Sequence, residues 1–258
     1  MDRELHIGSA CREWSIGEFR FGCWATNEFG SRVPEHEHEQ AHIMFACSGD
    51  YRSRVAGAER ARHRILFNPA GTVHDDRFES PGLFFSINFV STAGGLWGDR
   101  APSVPSLADS PRARSIVQRL IRTAPSPSQQ PHQTEYLIAE LMTEFVPERA
   151  PPRTPEWMAK VIEALHERLP VPRVAELAAV AGVHPYHLAS VFRRAHGCTP
   201  ADYARSLRLS AALDELRNPH ADLAQVAEEH GFADQSHLTR AVSAMFGVGP
   251  SELRRRLN

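Results

Sequence analysis

The side chains with the most chemistry to offer in this chain are four histidines. Three stand in His36-Glu-His-Glu-Gln-Ala-His42, and the fourth closes Pro69-Ala-Gly-Thr-Val-His74. Side chains on a strand repeat every second residue, so His36, His38 and His42 share a parity. The Pro/Gly turn before His74 brings that residue back across the sheet. Four imidazoles suit zinc, nickel, copper or iron. They equally suit hydrogen bonding to a carboxylate effector, or titration near the unperturbed histidine value of about 6.5. Trp14, Trp24, Phe67, Phe85 and Phe89 are candidate walls of an effector pocket. Glu37 and Glu39 have the opposite parity, and Asp75 and Asp76 read as turn residues. No acid or base is then placed beside the imidazoles, which counts against catalysis. Cys47 is a further candidate if the site senses a metal or redox state.

The spacing resembles the two cupin motifs, H-x-H-x(3,4)-E-x(6)-G and P-x-G-x(2)-H, with His42 in the Glu position and Gly49 six residues beyond it. In metal-binding cupins these positions hold a divalent ion. The resemblance therefore implies His36, His38, His42 and His74 as ligands of one transition metal, or as the lining of an effector pocket. The chain departs from the pattern at His63, where the second motif has Gly, and no Asn follows His74 at the family's place.

The elements around these residues change character near residue 150. Before it, Ala41–Cys47, Arg64–Phe67 and Leu83–Val90 read as strands between turns such as Ser48-Gly49-Asp50 and Ser80-Pro81-Gly82. A small antiparallel barrel or sandwich is expected. Two amphipathic helices follow, Pro111–Thr123 with Ile116, Val117, Leu120 and Ile121 on one face, and Gln133–Val146 with Leu137, Ile138, Leu141, Met142 and Phe145. Their apolar faces predict either a dimer surface or packing on their own barrel. Pro147–Pro155 is a Pro-rich connector. The expected organisation is multi-domain α+β: residues 1–148 a cupin-like antiparallel β-barrel with trailing helices for effector binding and dimerisation, 149–156 a linker, and 157–258 an all-α domain.

That last part contains an internal repeat. Leu177, Ala178 and Gly182 match Val226, Ala227 and Gly231, and Leu188, Gly197 and Pro200 match Leu238, Gly247 and Pro250, at an offset of about fifty residues. Each copy reads as a short helix, a Gly turn, a second amphipathic helix, a terminating Gly and a Pro that opens the next helix. Asp234 is placed to cap the second copy's recognition helix. Two such units in register, joined by Pro200–Leu216, are the pattern of paired helix-turn-helix motifs. The stretches Glu176–Ala204, Arg208–Leu216 and Ala224–Arg256 resemble the DNA-binding domain of the AraC/XylS transcriptional regulators. Gly249-Pro250 departs from the family's usual Thr-Pro or Ser-Pro and leaves the final helix without a hydroxyl cap. Glu215 sits where Leu is common.

The resemblance implies two recognition helices entering successive major grooves about 34 Å apart. Base contacts would come from Tyr186, His187, Ala189 and Ser190, and from Gln235, Ser236, His237, Thr239 and Arg240. Arg240 suits guanine and Gln235 adenine, each good bidentate pair contributing about 1–3 kcal/mol of discrimination. Arg193, Arg194, Arg205 and Arg208 suit phosphates, which position without specifying. The first helix has no long donor at Ala189 and Ser190 and is the poorer reader.

Composition bounds these readings. The net charge is −2, with 29 Lys and Arg against 31 Asp and Glu, so DNA binding must come from locally arranged Arg. Lys160 is the single lysine, a sign of GC-rich coding. No run of about twenty apolar residues crosses a membrane. No apolar segment follows a basic start, and the four cysteines include no C-x-x-C, so a cytoplasmic protein with reduced thiols is expected. The leading expectation is a non-enzymatic bacterial transcription regulator. Its partners would be double-stranded DNA, a small-molecule effector, a second copy of itself and, if it is an activator, RNA polymerase. The alternatives are a metal-dependent cupin enzyme, or a metal sensor that uses the four-histidine site.

Overall fold

The computed structural model describes residues 8–27, 32–55, 58–60, 65–90, 101–122, 131–145, 154–167 and 171–258. Most of the expected linker therefore lies outside the described residues. The first part holds ten strands: β1 (Ser9–Ile16), β2 (Phe19–Thr26), β3 (Arg32–His36), β4 (His42–Ser48), β5 (Tyr51–Val55), β6 (Ala58–Arg60), β7 (Ile65–Asn68), β8 (His74–Phe78), β9 (Gly82–Phe89) and β10 (Ser106–Ala108). They form two antiparallel sheets, ordered β1-β2-β9-β4-β7-β10 and β3-β8-β5-β6. The expected antiparallel β architecture is present as two facing sheets, and no strand pairing among the described residues joins them into a closed barrel.

Alternation along the six-stranded sheet decides what each face buries. Phe21, Cys23, Phe45, Phe67, Phe85 and Ile87 point outward into a large apolar core, while Trp24, Ala46, Leu66 and Phe84 point inward, with Tyr51 and Phe78 of the second sheet. Trp24 fills that interior. Its indole lies over Gly22, where a Cβ would come within 2.3 Å of Nε1, and Nε1 donates to Ser86 Oγ at 3.0 Å.

Helices α1 (Pro111–Arg122) and α2 (Pro131–Met142) cover the outer face, and their apolar residues are buried in the same core. For these residues either a dimer surface or packing on the chain's own barrel was expected, and the second is what the structure has. They are consumed by packing within the chain, because the sheet's outer face would otherwise stand in water.

The last part holds α3 (Trp157–Glu167), α4 (Val174–Ala181), α5 (Pro185–His196), α6 (Pro200–Glu215), α7 (Leu223–Glu229), α8 (Gln235–Phe246) and α9 (Pro250–Leu257). The repeat's glycines do what the spacing predicts: Gly182, Gly197, Gly231 and Gly247 have φ of 67°, 68°, 68° and 74°. The Asp234 side chain accepts from His237 N at 2.6 Å, and Gly249 caps α9 without a side-chain bond.

The two copies of the repeat are packed differently. The first has its own core, built from Val161, Leu165, Leu177, Leu188, Phe192 and Ala204. The second does not: Val226, Leu238, Val242, Met245, Phe246 and Leu253 belong to the core that contains Phe21, Phe85 and Ile116. Cys23 Sγ donates to Met245 O at 3.5 Å, and Arg256 bonds Ala10 O. Both recognition helices also end against an arginine from the first part. A Cβ on Gly197 would meet Arg112, and one on Gly247 would meet Arg12.

Gly22→Ala should lower unfolding stability by about 1–3 kcal/mol, because Trp24 has to leave its seat. At Gly71, with φ 70° and open space around its Cβ position, alanine should cost about 1–2 kcal/mol from backbone strain alone. Urea unfolding midpoints, with Trp24 emission as a second probe, check both.

Candidate functional site

The four histidines converge, by a different route from the one parity predicts. His36 ends β3, His38 lies beyond it in irregular backbone, and His42 opens β4 in the other sheet. His36 pairs with His74 across β3 and β8. The ring centroids stand 4.4 Å apart for His36–His74, 4.5 Å for His38–His42, 4.9 Å for His36–His38 and 5.4 Å for His42–His74. One nitrogen each from His36, His38 and His74 lies within 4.8 Å of the other two.

Tautomers are set from behind. Nδ1 of His36 is 2.8 Å from Pro34 O, and Nδ1 of His74 is 2.8 Å from Thr72 O. A backbone carbonyl only accepts, so Nδ1 carries the proton and Nε2 presents a lone pair. Nε2 of His74 is buried with no hydrogen-bond partner. Orientation from behind together with an unsatisfied lone pair in front is how metal-ligating imidazoles are held, and the donor set fits a divalent transition metal. His42 is held differently: Asn68 Nδ2 lies 3.1 Å from its Nε2, and its Nδ1 is buried without a partner. Burial, reinforced by His38 and His74, holds His42 well below the usual histidine pKa, and therefore neutral.

Asp75 and Asp76 lie within strand β8 and are buried, not in a turn. Asp76 lines the histidine pocket, with Oδ2 3.7 Å from His74 Nε2 and Oδ1 accepting from the Tyr51 hydroxyl at 2.9 Å. Asp75, on the other face, pairs with Arg32. Asp76 is a site residue that sequence reasoning missed; only the length of β8 reveals its direction. Among the expected aromatic walls, Trp24 lines the pocket, joined by Phe78 and Phe84. Trp14, Phe67, Phe85 and Phe89 face the helices. Cys47 also faces the helices, away from the histidines. The pocket encloses about 40 Å³. That admits an ion with one or two waters, since a single water needs about 10–15 Å³.

In the second part, the expected base-reading faces are open. Tyr186 is 79% exposed, and His187, Ser190, Arg193, Arg194, Gln235, Ser236 and Arg240 are exposed. Ala189, His237 and Thr239 are partly covered. His237 is engaged in the turn, its ring against Phe232 at 5.3 Å and its Nδ1 accepting from Ala233 N at 3.3 Å. Arg205 pairs with Asp202 at 2.8 Å, and Glu215 holds His230 at 2.6 Å.

Residues 177–256, which hold most of both copies of the repeat, match the helix-turn-helix domain family. The HTH-type transcriptional regulator GlxA of Rhizobium meliloti is 34% identical over 87 residues, 34% of this chain and 26% of its own length. A putative AraC-like transcription regulator of Streptomyces antibioticus is 33% identical over 82 residues, 32% of this chain and 27% of its own. The matches thus span about a quarter of each relative. Among solved structures, ToxT from Vibrio cholerae aligns over 93% of this chain and 98% of its own at 11% identity, with a TM-score of 0.39. Among the described residues, no helix is long and apolar enough to cross a membrane.

A pH dependence follows from the buried imidazoles. His42 and His196 are both held below the ordinary histidine pKa, first by burial. Their unfolded forms bind protons near pH 6.5 while the folded forms do not. The stability is therefore complete above that pH and lost as pH falls below it, by up to about 1.4 kcal/mol per pH unit and group. In chelator-treated protein, urea midpoints should fall between pH 7.5 and 5.5, with a shallower slope in His42→Asn.

Proposed function

We propose that the chain is a sequence-specific DNA-binding transcription regulator in which residues 1–148 form the sensing part, the Pro-rich segment 149–156 the linker and 157–258 the DNA-reading part. The observation that carries this reading is the pair of recognition helices, α5 and α8, each capped at its start and presenting polar side chains to solvent on its first turns. The phosphate-facing arginines Arg193 and Arg194 flank the first. At the second, Arg240 and Gln235 supply direct readout, Arg240 toward guanine and Gln235 toward adenine. Tyr186, His187 and Ser190 read with the first helix, chiefly by contact. His237 acts in the turn more than on a base.

The sensing part takes a divalent transition metal on His36, His38 and His74, with His42 and Asp76 beside it. Those three residues would hold the ion, which would supply positive charge and directional bonds to β3, β8 and the segment after β3. The metal acts on DNA binding only through different affinities for the two arrangements of the chain. A cupin enzyme is the competing reading, and Asp76 supplies the acid or base that it needs. The space of about 40 Å³ beside the histidines suits an ion and water better than a bulky substrate, which favours the regulator.

Selection of duplexes by the full chain should return a bipartite site with half-sites one helical turn apart. Arg240→Ala should lose about 10–100-fold in preference at one position, and Arg193→Ala should weaken all sequences alike and flatten the salt dependence. No selected sequence would sink the regulator reading. Elemental analysis of protein purified without chelator should give about one transition metal per chain, lost in His74→Ala. A metal-free protein after soaking would sink the metal reading.

A further inference from the structure

The outer face of the six-stranded sheet carries chemistry that neither the histidines nor the recognition helices use. Cys11, Cys23 and Cys47 all pack into the core on that face, and all are free thiols. Cys11 and Cys23 lie on neighbouring strands, β1 and β2. We propose that Cys11 and Cys23 are a modification site, bridged as a disulfide by exchange with low-molecular-weight disulfides, and that the bridge loosens the seat of α8 and α9. The bridge itself does not depend on the regulator reading; its effect on DNA recognition does.

The strand register supplies the geometry. Ala10 pairs with Trp24 and Arg12 with Cys23, so Cys11 is the extra residue of a β-bulge. Regular alternation would put Cys11 on the face away from Arg12 and Trp14. The bulge turns it onto their face, where it packs against the core that holds Cys23 and Trp14. Directly opposed Cα atoms on antiparallel strands stand about 4.5–5.5 Å apart, and a disulfide spans about 4.4–6.8 Å. Cys47 lies on β4, with β9 between it and β2, and is a strand too far for either.

Accessibility orders the steps. Cys23 is fully buried and Cys11 half-buried. Cys11 loses its proton and its Sγ attacks the reagent disulfide; a mixed disulfide forms, and one reagent thiolate leaves and takes up a proton. Cys23 then loses its proton and attacks the Cys11 sulfur, and the second reagent thiol departs. The two cysteines are oxidised, and the reagent is reduced to two thiols. Burial raises both thiols, opposed at Cys11 by the Arg256 guanidinium. Thiolates with so little support make the exchange slow but the finished bridge stable. The pair therefore follows the standing thiol–disulfide balance, not a brief burst of oxidant.

Placement gives the bridge its consequence. Cys23 Sγ donates to Met245 O, at the end of α8, at 3.5 Å. A bridged sulfur carries no hydrogen, so that bond is lost. Arg256 of α9 bonds Ala10 O beside the bulge, and Arg12 lies against Gly247 where α8 stops. Drawing Cys11 toward β2 disturbs both contacts at once.

The test equilibrates the full chain in bis(hydroxyethyl) disulfide and mercaptoethanol at stepped ratios, then blocks free thiols and maps peptides by mass spectrometry. A peptide linking Cys11 to Cys23 should appear as the ratio rises and vanish on return to thiol. Cys11→Ser should abolish it, and Cys198→Ser should leave it. In the bridged protein, amides in the last turn of α8 and in α9 should exchange about 3–10-fold faster, with no such change in Cys11→Ser. The proposal is overturned if both cysteines stay reduced at the most oxidising ratio, if Cys11 stops at the mixed disulfide, if Cys23 pairs with Cys47 instead, or if α8 and α9 exchange alike in both forms. Should Cys11→Ser fail to fold, the linked peptide and the exchange comparison in the unmutated chain still decide. Duplex selection in both buffers separates the two readings, since a chain that bridges but selects no DNA keeps this site and loses only the regulator reading.

Discussion

The outer face of the six-stranded sheet is the constraint on which the rest of the molecule depends. Its alternating Phe, Ile and Leu residues cannot stand in water, and α1 and α2 cover only part of them. The remainder is covered by α6, α8 and α9, so the second helix-turn-helix has no core of its own. One apolar body runs from Phe21 and Phe85 through Ile116 to Phe246. Burial at about 25 cal/mol per Å² makes such a face expensive to separate. It follows that the second recognition helix is placed by the sensing part, while the first, with its separate core, is placed by α3, α4 and α6.

Under the proposed function, this asymmetry is the physical route from sensing to reading. The distance and angle between α5 and α8 decide whether both reach successive grooves. α8 moves with the sheet, and α5 is tied to it through α1 and through Arg112 at Gly197. A change in β4, whether from the histidine side or from the helix side, bears directly on α6 and on the core that holds α8.

Legibility in the sequence followed periodicity. The repeat was readable because Gly182, Gly197, Gly231 and Gly247 are fixed by backbone geometry that only glycine adopts cheaply, and Asp234 by the helix end it caps. The four histidines were readable as a group, but the reasoning of a single strand parity failed, since β3 ends at His36 and His42 starts a strand in the opposite sheet. Asp76 was missed because a buried aspartate on a strand looks like a turn residue in a run of two. Trp24 was one of five aromatic candidates, and the other four point the wrong way; without the strand register, neighbouring parities such as Phe84 and Phe85 cannot be told apart. Least readable was the partner of each apolar face. Helix amphipathicity says that Ile116 and Leu238 are buried, not that they are buried together.

Native-state hydrogen exchange tests the shared core most directly. Amides of α8 (235–246) and of β9 (82–89) should open with the same free energy, and Phe85→Ala should lower both together by about 3–5 kcal/mol. Amides of α4 and α5 should keep their own, separate value. If α8 instead exchanged in step with α5 and ignored Phe85→Ala, the two helix-turn-helix units would form one independent domain, and the placement of α8 by the sensing sheet would be wrong.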